Sequence, residues 1–201
     1  ATWKKHWSYI KPKRPRLPKV KKTEWPQNPI DYFILKKLES VNKLPSLKNS
    51  KEKLLRKVSF DLTGLPPSPG DVDAFLTDKS KNAFEKVVDQ LLTSEAYGER
   101  LATEWMDLAR YAETNGIHHD FERNVWPWRD WVINAFNSNM SYDKFVTWQL
   151  AGDLFPNPTY EQKLATAFNR NHRTTQECGS IDEEFRVSYV VDRTNTFGKA
   201  L

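Results

Sequence analysis

The chain has 201 residues, 38% of them hydrophobic and 13% aromatic, including eight Trp and eleven Phe. That aromatic content can offset a large ordering entropy and excludes a disordered chain, while a single Cys excludes an internal disulfide scaffold and a Cys-rich zinc site. The net charge of +5 is uneven: residues 1–23 hold nine Lys/Arg and no Asp/Glu, which leaves 22 basic and 26 acidic residues, a balance of −4, in the rest. A nucleic-acid domain spreads basic surface over a folded face. A basic strap on an acidic body reads instead as a segment lying across its own body or a neighbouring domain. No apolar run approaches the length of a membrane span.

In chain order, residues 1–27 read as an extended linker. Pro12, Pro15 and Pro18 remove backbone donors and favour extended structure, with Trp3, Trp7 and Tyr9 as candidate anchors. From Asn28 the pattern turns helical. Asn28 is an N-cap and Pro29 sits at N1, followed by Ile30, Ile34, Leu38 and Val41 at helical spacing. Ser50 opens a second helix, with Leu54, Leu55, Val58 and Leu62 on one face and Gly64 as its stop. Ser68-Pro69 opens a third. A fourth carries Phe84, Val87, Val88 and Leu91. A fifth, from about Tyr97, carries Leu101, Trp105, Leu108 and Ala112. Later helices are expected around Trp128 and Trp131, from Ser141, from Thr159 and from about Ile181. The last carries Phe185 and Tyr189, with Val187, Val190 and Val191 on an adjoining stripe. No strand-like alternation exceeds four residues. The fold class is all-α, an irregular bundle of about eight or nine helices over residues 28–201, expected to be truncated at its C-terminal end.

No phosphate loop, nucleophile elbow, His-Glu-x-x-His or Cys-x-x-Cys-His element is present. Catalytic residues therefore stay unassigned, and chemistry must come from looser constellations. The first is the polar loop 114–125. Asp107, Arg110 and Glu113 lead into it at three-residue spacing, and Glu113, His118 and Asp120 form a candidate divalent-cation set. The alternative is an ion-paired, solvated face, which spacing across a loop favours. The second is the irregular stretch 169–180 with His172, Glu177 and Cys178, followed by Asp182, Glu183 and Glu184. The macrodipole explains three acids in a first helical turn. The third is Trp126, Trp128 and Trp148, which could stack on sugars, although Trp128 and Trp131 at helical spacing suit a core.

Several segments carry a family resemblance: Asn28 to Ile34, Phe60-Asp61-Leu62-Thr63-Gly64-Leu65-Pro66-Pro67, Tyr97 to Arg100, Asp107 to Ala112, Trp128 to Ile133, Gln149 to Asp153, and Asp182 to Arg186 with Val191-Asp192-Arg193. Together they resemble the planctomycete cytochrome C associated domain of unknown function. The resemblance implies an exported, periplasmic or cell-surface multidomain protein with haem c in neighbouring segments and none in this chain. It makes His172 and His118 the candidate axial ligands for such a haem. The partners it implies are neighbouring domains of the same polypeptide or a cytochrome c domain, with carbohydrate a further candidate and nucleic acid and membrane spans disfavoured. Cys178 stands where the family pattern has Gly, which weighs against thiol chemistry. The leading expectation is an accessory domain supporting electron transfer or assembly. The alternatives are a metal-assisted hydrolase acting on polysaccharide and a Trp-based carbohydrate-binding module.

Overall fold

The computed structural model describes residues 6–200. Trp3 lies outside the described residues, and so does the side chain of Trp7. The described residues form nine α-helices and no strand; one isolated bridge joins Thr114 and Glu122. The all-α expectation holds. None of the helices is long and apolar enough to cross a membrane.

The chain divides into two units, one ending at Asn49 and the other beginning at Ser50. In the first, residues 11–20 form no helix, strand or turn. Helix α1 spans Pro29–Ser40. It starts where the sequence requires it to: Asn28 Oδ1 accepts from the Ile30 N–H at 2.9 Å, and Asp31 Oδ2 accepts from the Asn28 N–H at 3.1 Å. This reciprocal capping satisfies donors the first turn leaves free. The exposed face differs from the expected one. Ile30, Ile34 and Val41 are exposed, and Leu35 is the buried residue of the helix. Hydrophobic spacing found the period of α1 but not the face that is covered.

The second unit contains α2 (Lys51–Thr63), α3 (Pro69–Thr77), α4 (Ala83–Leu92), α5 (Glu95–Ala109), α6 (Trp126–Asn137), α7 (Tyr142–Ala151), α8 (Tyr160–Ala165) and α9 (Asp182–Ala200). Gly64 ends α2 at φ +71°, a left-handed conformation that glycine adopts without a Cβ penalty. A small cluster of Leu55, Phe75 and Ala83 joins α2, α3 and α4. They line a groove of about 450 Å³ together with Thr63, Leu65, Pro66 and Pro67.

The larger core lies between α5 and α6, capped by α7 and α8. Ala102, Trp105 and Ala109 face Trp128, Trp131, Val132 and Ala135, with Phe145, Ala165 and Phe168 closing the layer. Alanines let the helices approach, and the indoles fill the remaining space. The Trp131 and Phe145 rings stack at 5.5 Å, and Trp105 meets Phe145 edge-on at 4.9 Å. Each buried indole needs a partner for its N–H. Trp105 Nε1 donates to Gln149 Oε1 at 2.9 Å, and Trp128 Nε1 donates to the Ala165 carbonyl at 3.2 Å. At about 25 cal/mol per Å², burying one indole of roughly 150–250 Å² contributes about 4–6 kcal/mol as an upper bound.

Candidate functional site

Arg110 ends α5 in the left-handed region, at φ +59° and ψ +40°, and turns the chain into the first polar loop. The loop folds as a narrow excursion. The Asn115 N–H donates to the Phe121 carbonyl at 2.9 Å, and the Arg123 N–H donates to the Glu113 carbonyl at 2.8 Å. At its tip, Gly116, His118 and Asp120 all have positive φ, of +78°, +58° and +49°. His118 and Asp120 carry a Cβ, so each such residue costs about 1–2 kcal/mol. Asp120 offsets part of this by accepting from the Gly116 N–H at 2.5 Å. A hydrogen bond from Thr114, then that of Gly116, holds its carboxyl below the ordinary aspartate range.

The second polar segment, 169–181, meets the first. The Thr174 N–H donates to the Asn115 carbonyl at 3.0 Å, and Thr174 Oγ1 donates to Asn115 Oδ1 at the same distance. Arg123 is the main cross-brace. Its guanidinium donates to the carbonyls of His172 at 2.9 Å, Arg170 at 3.3 Å and Ala112 at 3.3 Å. Tyr189 of α9 accepts the Thr175 N–H at 2.7 Å, and Arg110 pairs with Asp192 of α9. The two polar loops and the last helix thus form one seam.

That seam is closed. The cavity between Ala109, Phe168, Asn169, His172, Arg193 and Thr196 has a volume of about 10 Å³. This is about the space of a single water and too little for a substrate. Of the polar residues lining it, His172 has a buried Nδ1 with no hydrogen-bond partner among the described residues, and elsewhere in the chain Arg123 Nε, both amide atoms of Asn171 and Asp192 Oδ2 are in the same state. Burial, then the charge of Arg193, hold the His172 imidazole below its ordinary pKa; a hydrogen bond to the Asn169 backbone opposes them, and Arg123 and Arg170 add to the lowering. The His172 ring lies 5.0 Å from that of Tyr189. His172 is therefore a half-buried member of the seam whose surroundings disfavour its charged form.

The candidate cation set does not gather. Among the described residues no three His, Cys, Asp or Glu side chains are grouped to hold a metal ion. Glu113 instead accepts from Tyr111 Oη at 2.6 Å and from Arg129 Nη1 at 2.7 Å. Burial, then Glu113, push the Tyr111 phenol up to about 12. Asp120 caps its own loop. His118 stands exposed at the tip, its ring 4.1 Å from that of His119. Of the two candidate axial ligands, His118 is open to a partner and His172 Nδ1 is not. Glu183 is paired to Arg186 at 2.6 Å, and Cys178 is exposed. Among the three candidate sugar-stacking residues, Trp128 is fully buried, Trp148 is half-buried under Lys144 at 4.3 Å, and Trp126 is exposed. Sequence reading missed the role of Arg123. The only signal was an arginine inside a loop, where carbonyls left free by the irregular backbone need donors.

The fold and site define a helical domain whose conspicuous polar loops brace one another instead of lining a cleft. Over residues 29–201 the chain matches the PSCyt2 model, described as a protein of unknown function (DUF1549), and it belongs to this family of planctomycete cytochrome C associated domains. No curated protein and no solved structure matches it.

Proposed function

We propose that the chain is an accessory helical domain of an exported, multidomain protein. Its role is to support assembly or electron transfer by a c-type cytochrome domain of the same polypeptide. The observation that carries this reading is the seam: Glu113 is bonded by Tyr111 and Arg129, Asp120 by the Gly116 N–H, Arg123 by backbone carbonyls, and the seam's cavity measures about 10 Å³. Membership of a cytochrome-associated family supports the choice of partner.

Haem c needs two thiols and a histidine in one short element, and Cys178 is the one Cys here. The residues present do not fit covalent haem attachment, so the haem belongs to a neighbouring segment. His118, exposed on a tip of left-handed residues, is the imidazole this domain could present to a partner's iron. Pyridine haemochrome spectroscopy of the native full-length protein tests the reading. A c-type spectrum from the same polypeptide is expected, and a haem-free protein overturns the electron-transfer role.

A further inference from the structure

The arm has an internal order that its bulk charge conceals. Pro12, Pro15 and Pro18 recur every third residue, and a cation follows each one: Lys13, Arg16 and Lys19, with Lys22 continuing the spacing. A polyproline II helix has three residues per turn and rises about 3.1 Å per residue. Residues three apart therefore share an edge. With that period Lys13, Arg16 and Lys19 share one cationic edge, with charges about 9 Å apart over about 19 Å, and the chain then bends at Lys21 before Lys22. The prolines form a second edge and hold the backbone extended.

Lys13, Arg16, Lys19 and Lys22 are exposed, and none takes part in an ion pair with the described residues. The chain just past the ladder is anchored within its own unit. Glu39 Oε1 accepts the backbone N–H groups of Lys21 at 2.7 Å and Lys22 at 3.3 Å. Those bonds use the main chain and leave the ammonium groups available. A pre-extended chain with one fixed end loses little backbone entropy on binding.

We propose that this edge binds a linear anionic polysaccharide. An evenly repeating cation ladder matches a ligand whose charges also repeat at a fixed interval along an extended chain. The charges of a globular acidic protein have no such repeat. Residues 11–22 contain no aromatic side chain, so the base stacking that single-stranded nucleic acid offers has no acceptor here. The only apolar residues besides proline are Leu17 and the half-buried Val20, too little to enter a membrane. Carboxylated and sulfated polysaccharides share the required chemistry. This inference does not depend on the cytochrome reading.

The test uses the full chain and fluorescence anisotropy with labelled polygalacturonate and dextran sulfate, neutral dextran serving as the blank. The relative affinity for the first two distinguishes carboxylate from sulfate carriers. Log affinity should fall against log salt with a slope of about −2, as three neutralised charges on a single strand require. Two variants remove equal charge. K13Q/R16Q/K19Q, on the edge, should lose at least tenfold in affinity, and K11Q/R14Q/K21Q, off the edge, less than threefold. Replacing Pro12, Pro15 and Pro18 by Gly keeps every charge and should still weaken binding severalfold. The α-helical circular dichroism signal at 222 nm should be about unchanged in all three, because the altered side chains lie outside every α-helix. Equal losses from the two charge variants would overturn the ladder. So would failure to bind either polyanion, or tighter binding to oligothymidylate or phosphatidylserine vesicles.

Discussion

Replacing Arg123 by Ala removes the brace between the two polar loops, and its cost can be worked from the bonds it makes. The 2.9 Å bond to the His172 carbonyl is charge-assisted and of normal length, worth about 1.5–3 kcal/mol. The two bonds at 3.3 Å, to Arg170 and Ala112, are long and contribute about 0.5 kcal/mol each. Against this, the variant relieves a desolvated guanidinium and a buried Nε without a partner, a gain of about 1 kcal/mol. The net loss is about 1.5–3 kcal/mol. For a chain of this size that lowers Tm by about 3–12 °C. Urea denaturation gives the global figure, and amide hydrogen exchange at Asn115 and Thr174 gives the local one. Both amides donate across the braced region, so their exchange should quicken about 10-fold or more, the factor that 1.5 kcal/mol corresponds to. A change below about 0.5 kcal/mol, or unaltered exchange at Thr174, would refute the view of Arg123 as the principal cross-link.

Three further outcomes follow from the same structure. Trp128→Ala should cost about 3–5 kcal/mol in urea denaturation, because it empties a fully buried site and strips the Ala165 carbonyl of its donor. Gly152→Ala should destabilise by at least about 1–3 kcal/mol, since a Cβ there would collide with the Gln162 backbone, which cannot swing aside like a side chain. His172 gives a pH signature. Its folded pKa lies below the unfolded value, so the unfolded state binds more protons as pH falls through about 6.5, and stability drops in that window. The groups facing it are the guanidinium groups of Arg193, Arg123 and Arg170, the Asn169 backbone and the Tyr189 ring. His172→Gln should flatten the stability profile between about pH 7.5 and 5; an unchanged slope would show that the proton goes elsewhere.

Local signals were readable in the sequence because local physics sets them. Asn28-Pro29, Ser50, Ser68-Pro69 and Thr159 all begin helices where their capping chemistry places them, and Gly64 ends one. Ser141 also precedes its helix, yet its side chain makes no cap bond. Trp128 and Trp131 at helical spacing proved to be core. What the sequence concealed is non-local. The period of α1 was legible, but which side is covered depends on packing, and Ile30, Ile34 and Val41 emerged exposed. On α9 the inward residues are Phe185, Tyr189 and Thr196, while Val187, Val190 and Val191 face outward. The loop of Glu113, His118 and Asp120 could have closed on a cation. Its left-handed tip residues and the Tyr111 and Arg129 bonds to Glu113 direct the three apart, and neither feature has a spacing rule.

Nitrogen-15 chemical-shift mapping on the full chain tests the central claim most directly. The titrants are a c-type cytochrome domain from the same polypeptide and, separately, Zn²⁺ and Mg²⁺. The account predicts a contiguous set of shifts with the cytochrome, including the exposed His118 tip, and no saturable metal response joining Glu113, His118 and Asp120. Silence toward the cytochrome, together with stoichiometric metal binding at those three residues, would contradict it.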